Sequence, residues 1–231
     1  MRVWNFFRET FIQSGSGLSI LLGLLTTVRI SVFSLIIGTL LAVPLCALRM
    51  SGRRPLAAIA RGYIALVRGT PVLMLLMLLY YVVFASSRVD AANIAIIAFS
   101  LNTAAVVAEI MRTALHAVPA GQVDAAFALG MRGFEIFRSI ILPQASRAAL
   151  PVYQSAVINL IQWTSVVGYI SITDLTRAIN FISSRTMEPL LMLFVGIILY
   201  LLMAYVSYGI FALFRRRPFG VSYRYDRRRK P

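Results

Sequence analysis

Read from its first residue, the chain arranges its apolar positions in long unbroken runs rather than in one-sided stripes. A helix that crosses a bilayer needs about 20 largely apolar residues. Five runs approach that length. The first lies between Ile30 and Leu48, with the run Leu18 to Leu25 leading into it and Arg29 at the boundary. The others cover Tyr63 to Ala85, Ala92 to Met111, Leu150 to Ile170, and Pro189 to Phe214; Arg68 interrupts the second. The pattern predicts an all-α integral membrane protein with five transmembrane helices.

The arginines between these runs orient the set. The first connection carries Arg49, Arg53, Arg54 and Arg61, and the third carries Arg132, Arg138 and Arg147. The end of the chain carries Arg215, Arg216, Arg217, Arg224, Arg227, Arg228, Arg229 and Lys230. The second connection has only Arg88 beside Asp90, and the fourth sets Arg177 and Arg185 against Asp174 and Glu188. Cytoplasmic loops carry the excess of Lys and Arg. The first and third connections and the C-terminus are therefore expected in the cytoplasm. An odd number of spans then puts the N-terminus outside, which is the periplasmic side if the membrane is a bacterial inner membrane.

Composition agrees. Of 231 residues, 59% are hydrophobic and 13% charged, against about 45–50% and about 25% in soluble domains. The net charge of +15 is distributed by topology, and anionic lipid, not nucleic acid, is its expected counterpart. Single residues exclude whole classes of chemistry. Cys46 and His116 are the only cysteine and histidine, and Lys230 is the only lysine. A disulfide framework, a histidine-ligated metal centre and a Ser-His-Asp triad are thereby disfavoured. A phosphate-binding P-loop needs a lysine after its glycines, and none is placed there. The chain is not expected to be an enzyme, to bind metal or to hold a cofactor of its own.

Three sections follow. Residues 1–17 mix Trp4, Phe6, Phe7, Phe11 and Ile12 with Arg2, Asn5, Arg8 and Glu9. They read as an amphipathic segment on the membrane surface, or as a frayed terminus, and not as a secretory signal. Residues 18–214 form the transmembrane domain, and 215–231 a basic cytoplasmic tail that rests on anionic headgroups. Within the domain, the third connection (112–149) is too long to be structureless without purpose. Gln122 to Leu129 is rich in helix formers, Phe134 to Leu142 has apolar residues at helical spacing, and Gly130 and Gly133 lie between them. Two short helices are expected, joined by a glycine turn, with Pro143 closing the second. Ala125, Ala126 and Ala128 would give the first a slim profile able to enter a groove of another protein. A bulky charge at Ala126 is expected to uncouple such a contact.

The same loop carries a resemblance. Asp124-Ala125-Ala126, Gly130, Ile140, Ile141, Leu142 and Pro143 stand at the spacing of the cytoplasmic signature of bacterial ABC importer permeases: Glu-Ala-Ala, three residues, Gly, nine residues, Ile, one residue, Leu-Pro. ARGYIALVRGTP (Ala60 to Pro71), SLNTAAVVAEIMR (Ser100 to Arg112), AVPAGQ (Ala117 to Gln122) and NLIQWTS (Asn159 to Ser165) are similar to the polar amino acid uptake branch. The matching stretches spread from about Thr26 to Asp174. Asp124 replaces the usual Glu on a shorter stem, and Gln162-Trp163 stand where relatives commonly carry Lys and an acidic or amide residue.

The resemblance implies a working plan. A second permease subunit, identical or related, pairs with this one in the bacterial inner membrane. Two ATP-binding cassette subunits, which hold ATP and Mg, dock on the cytoplasmic loops, and a periplasmic amino acid-binding protein delivers cargo. Pro119, Gly121, Gln122, Asp124, Ala125, Ala126, Gly130, Leu142 and Pro143 would form the ATPase-coupling element.

Polar residues inside the spans are the remaining candidates. Glu109 is the one acidic residue of the third span, and intramembrane carboxylates are costly. Arg68 is expected at its depth on the second span, with Arg112 one turn along. The three read as an ion pair bracing spans two and three at the inner face, or as part of an inner gate. Asn102 shares a helix face with Glu109, and Ser155, Asn159 and Gln162 make a second polar stripe. These four are translocation-path candidates, with hydrogen bonding between helices as the alternative. Ser31, Ser34 and Gly38 read as helix packing, and Asp174 as a solvated loop aspartate. Taken together, the residues favour the permease of an ATP-driven amino acid importer. The rivals are an ATP-independent oligomeric carrier or channel, disfavoured by the lack of a carboxylate pair and of a visible inverted repeat, and a membrane scaffold.

Overall fold

The computed structural model describes residues 15–215. The surface segment expected over 1–17 and the tail expected over 215–231 lie, apart from their innermost residues, outside the described residues. All regular elements among the described residues are helical.

Helix α1 (Ser16–Arg49) fuses the lead-in run and the first expected span into one rod of 34 residues. At about 1.5 Å per residue it is roughly 51 Å long, well beyond the ~30 Å hydrocarbon layer, so it must tilt or project. Its bulky residues Leu25, Val32, Phe33, Ile36 and Leu40 face outward. Its buried face includes the small residues Gly23, Thr27, Ser31, Ser34, Gly38 and Ala42, at helical spacing. That face lets the central helix α4 (Ala91–His116) approach closely. A Cβ at Gly38 would lie 2.6 Å from Thr103 Cβ. The Ser34 hydroxyl donates to the Ile96 carbonyl at 3.3 Å. The packing role expected for Ser31, Ser34 and Gly38 is the role they have, and α4 also packs against α2, α3 and α7.

The second expected span, Tyr63 to Ala85, is not one helix. It is α2 (Arg54–Gly69) followed by α3 (Val72–Leu78), which runs into a π turn (Leu79–Val83), and the two parts meet at 104°. Pro71 causes the break. It cannot donate a helical hydrogen bond, and it drives Thr70 into an extended conformation (φ −98°, ψ 131°). Helix α2 is amphipathic in its own right. Ala57, Ala60, Ile64 and Val67 are buried, while Arg54, Arg61 and Arg68 line its exposed side at seven-residue spacing.

Beyond α4 come the loop helices α5 (Ala120–Ala128) and α6 (Gly133–Ile136), then a second π turn (Phe137–Ile141) and α7 (Leu142–Trp163). A 3-10 stretch (Thr164–Ile170) extends α7, α8 (Leu175–Thr186) follows at 58°, and α9 (Pro189–Arg215) ends the described chain. The fourth span therefore starts earlier than Leu150. The connection read from its charges alone contains a helix whose buried residues, Leu175, Ala178, Ile179 and Ile182, follow helical spacing. Helices α1, α4 and α9 are long and apolar enough to span on their own, and the two bent pairs bring the number to five when each pair counts as one span.

Asp174 corrects another expectation. It is not a solvated loop residue but fully buried, 0% exposed. Its carboxylate caps α8, accepting from the backbone N–H of Thr176 at 3.1 Å and of Arg177 at 3.0 Å. The N–H of Leu175 donates to Thr27 Oγ1 at 3.2 Å, and the hydroxyls of Thr176 and Tyr200 lie 2.8 Å apart. A Cβ on Gly23 would lie 2.7 Å from the Asp174 carbonyl oxygen, so only glycine admits this corner against α1. Ile20, Leu175, Ile179, Ile182 and Met192 form a small apolar core around it, separate from the larger core that contains Ile30, Leu76, Phe99 and Leu160.

Candidate coupling loop and polar cavity

The loop between α4 and α7 is built by local hydrogen bonding. Pro119 precedes α5 with φ −61° and ψ 128°, so the helix begins at Ala120, two residues before the expected start. Its end is a Schellman motif: Gly130 N–H donates to Phe127 O at 2.9 Å and Met131 N–H to Ala126 O at 3.1 Å. Gly130 takes φ +79°, a left-handed conformation that glycine adopts without a Cβ penalty. The Arg132 N–H then donates to Glu135 Oε2 at 3.0 Å, which fixes the start of α6.

Pro143 does not close the second loop helix. It sits in the first turn of α7, and the preceding π turn carries the backbone past its missing N–H, so α6 and α7 are continuous. Gln144 ties the hairpin together. Its Nε2 donates to Gln122 Oε1 at 2.6 Å and to the Ile140 carbonyl at 3.0 Å. Gln122 is thus engaged inside the loop.

Of the small residues, Ala126 is 3% exposed and faces its own hairpin. Position 126 is therefore not on an open docking face, and an arginine there would disturb the loop itself. Asp124, Ala125 and Ala128 are exposed, as are Pro119, Gly121, Gly130 and Leu142, whereas Pro143 is half-buried. Phe127 and Leu129 are exposed as well, Leu129 with 84% of its surface open. They were missed because spacing alone does not say which side of a short helix its hairpin covers.

A cavity of ≈ 480 Å³ opens between α4 and α7, with Arg68, Glu109, Thr113, Ser155, Asn159 and Trp163 in its wall. The expected Arg68–Glu109 ion pair is absent. Glu109 pairs with Arg112 one turn along the same helix: Arg112 Nε donates to Glu109 Oε1 at 2.9 Å, and a second guanidinium nitrogen joins it. The i, i+3 spacing makes that partner the nearer one. Glu109 Oε2 is buried with no hydrogen-bond partner. Arg49 and Arg68 lie within electrostatic reach of the carboxylate.

The four path candidates divide. Ser155 and Asn159 line the cavity with Glu109, although the Ser155 hydroxyl also donates back to Pro151 O at 3.2 Å. Asn102 is buried in the packing of α4, its Oδ1 unpartnered. Gln162 faces a second cavity, of ≈ 590 Å³, beside Thr176, Asn180 and Tyr200. Thr113 was not singled out in the sequence; it lies four residues beyond Glu109 on the same helix face, which is the signal that finds it. Among the described residues no three His, Cys, Asp or Glu side chains gather as a metal site.

Residues 34–219 match the family of binding-protein-dependent transport system inner membrane components. The chain belongs to this family. Permeases of the family are the membrane partners of separate ATPase and substrate-binding subunits and are not themselves catalytic. This permease is 37% identical to the octopine transport system permease protein OccM of Rhizobium meliloti over 90% of its own length and 86% of that protein. It is 33% identical to the L-cystine transport system permease protein TcyB of Bacillus subtilis, covering 83% and 80% of the two chains. It is 31% identical to the histidine/lysine/arginine/ornithine transport system permease protein HisM of Salmonella typhimurium, covering 84% and 88%. Its fold superposes on an amino acid ABC transporter crystallised with histidines, with a TM-score of 0.78 and 30% identity over 86% of this chain and 94% of that one. The MetNI methionine transporter shares the fold at a TM-score of 0.72 and 17% identity, over 88% of this chain and 97% of that one.

Proposed function

We propose that this permease moves a polar amino acid across a bacterial inner membrane in an ATP-driven importer. Two permease subunits pair, two ATP-binding cassette subunits bind the cytoplasmic loops and hydrolyse ATP with Mg, and a periplasmic binding protein delivers the cargo. The N-terminus is periplasmic and the C-terminus cytoplasmic, as the arginine bias requires. The relatives named for octopine, L-cystine and the histidine/lysine/arginine/ornithine group support the cargo class.

The observation that carries the reading is the exposed side of α5. A short helix, pinned by its Schellman cap and the Gln122–Gln144 clasp, offers Asp124, Ala125, Phe127 and Leu129 outward. Exposed apolar side chains on a rigid, short, loop-borne helix suit a protein partner, and the cleft of an ATPase is the partner that the family supplies. Closure of the ATPase pair draws the two α5 helices together and turns the pathway outward; hydrolysis resets it. Within the pathway, Arg68 suits the carboxylate of a zwitterion, Glu109 supplies negative charge near its ammonium group, and Ser155 and Asn159 are neutral contacts.

The test is co-purification from native membranes followed by uptake in proteoliposomes. The wild-type chain is expected to bring down an ATPase with a P-loop and to move an amino acid only with ATP. Ala125→Arg, on the open side, is expected to lose the ATPase while the membrane helices stay folded. Full ATPase binding and transport by that variant would refute the assignment of α5, and transport without ATP would point to a carrier.

A further inference from the structure

The polar cavity between α4 and α7 is walled by side chains of very different size at its two ends. Its wall follows α7 from Ala148 to Trp163, about 22 Å along the helix. At the loop-side end the wall is made of Thr113, Ala114, Ala117, Ala148 and Ala149. Thr113, Ala117 and Ala148 are exposed, so no bulky side chain of the wall stands between the cavity and the loop side. At the other end stands Trp163, the one aromatic side chain of the wall among the described residues.

Past Trp163 the chain is packed shut. The 3-10 stretch begins at Thr164, and Thr164, Val167 and Ile170 are all fully buried. The Thr164 hydroxyl donates to the Ile161 carbonyl at 2.7 Å, which pins the junction. Gln162, one residue before Trp163, is exposed and turned to the other cavity, of ≈ 590 Å³, with Thr176, Asn180 and Tyr200. No described residue lines both cavities. Two cavities with polar side chains in their walls therefore come within one residue of each other along α7. Trp163 itself is half-buried and packs against the main apolar core. A tryptophan that anchors a helix at the membrane surface puts its ring among lipid headgroups; this one lines a polar cavity beside Asn159.

We propose that Trp163 is the stop of the pathway: its indole closes the polar cavity at the end remote from the loop, so that in this conformation the cavity opens to the loop side alone. The proposal deepens the transport reading above and rests on it. An indole suits the task because it is large and rigid, with only two torsions to hold, and presents little to which a polar solute can bond. Asn159 on one side of it and Gln162 on the other offer hydrogen bonds to a solute in either cavity. Trp163 is thus a positioning residue, not a ligand. It sets the side of the membrane from which Ser155, Arg68 and Glu109 are reached, and cargo passes from the Gln162 cavity to Asn159 only when the indole moves aside.

The experiment is the labelling of a single thiol from each side of the membrane. Cys46 is the only cysteine and is buried, so Cys46→Ser combined with Ser155→Cys leaves one thiol, in the cavity wall. The intact transporter in sealed vesicles, without ATP or amino acid, meets a membrane-impermeant maleimide on one side at a time. With Trp163 in place the thiol is expected to react from the loop side and not from the opposite side. Trp163→Ala is expected to add reaction from the opposite side, together with an ATP-independent leak of amino acid. Trp163→Phe, which keeps a ring, is expected to restore the block. Ser34→Cys in place of Ser155→Cys, at a fully buried position, stays unlabelled in every variant that remains folded. Equal reaction from both sides with Trp163 in place overturns the proposal and needs no change at that residue. A block that survives Trp163→Ala also overturns it and leaves the indole a packing residue. Either failure leaves ATP-driven uptake untouched, whereas absence of ATP-driven uptake with one-sided labelling intact refutes the transport reading alone.

Discussion

Two carboxylates, Asp174 and Glu109, are held at opposite ends of the membrane helices and are treated in opposite ways. Asp174 is sealed in, and its oxygens are satisfied by the N–H groups of the helix it starts. Glu109 is half-open, shares one oxygen with Arg112 and leaves the other without a partner beside a polar cavity. A buried polar group costs little when its hydrogen bonds are complete and much when they are not. The α8 corner spends its carboxylate on fixing α8 against α1 and α9. The other end leaves one carboxylate oxygen unpartnered, with arginines near it. Completeness of hydrogen bonding, not burial alone, separates the two acids.

The comparison yields graded expectations. The largest concerns Asp174→Ala, which removes a cap and strands two N–H groups; a loss of about 2–4 kcal/mol is expected. Thermal unfolding of the purified protein should show it, and Asp174→Asn should recover only part of it, because the amide keeps one of the two accepting oxygens. If Asp174→Ala kept its midpoint and lost only transport, the α8 corner would be a working site and the contrast would fail. Next comes Glu109→Gln, expected to lower uptake about tenfold while moving stability by less than about 1 kcal/mol, since the pair is partly exposed. A variant that unfolded in proportion to its lost uptake would make Glu109 structural after all. Restoration of uptake by adding Arg112→Gln would show that charge balance within α4 is all that is needed and would argue against Glu109 as part of a gate. Gly130→Ala should cost about 1 kcal/mol, because the left-handed conformation penalises a Cβ, and should loosen ATPase co-purification before it affects the helices. Smallest is Arg68→Gln, within about 0.5 kcal/mol in stability as an exposed charge, with its effect confined to the apparent affinity for cargo in uptake assays.

Much of the fold was legible because lipid imposes one dominant signal. Long apolar runs fall on helices at four of the five expected spans. What escaped were breaks and short-range geometry. The dipeptide Thr70-Pro71 was enough to bend the second span, yet an apolar count from Tyr63 to Ala85 runs across it. Helix α8 was hidden by its flanking charges, although Leu175, Ala178, Ile179 and Ile182 already repeat as a helix face. In the loop, Gly130 announced a turn, while the Gln122–Gln144 clasp spans 22 residues and leaves no local pattern. Glu109 was found as the costly acid, but its partner was misassigned because a neighbour on the same helix competes better than an arginine across a bend.

The continuity of the second π turn with α7 has a mechanical consequence. Because Pro143 does not interrupt the helix, the hairpin that carries α5 is the handle of a crank whose shaft is α7, 22 residues long. A shaft of that length measures about 33 Å, and a swing of about 10° at the handle sweeps its far end through roughly 6 Å. Asn159 and Trp163 ride on that end. We infer that a displacement of the hairpin no larger than a side chain changes the width of the polar cavity.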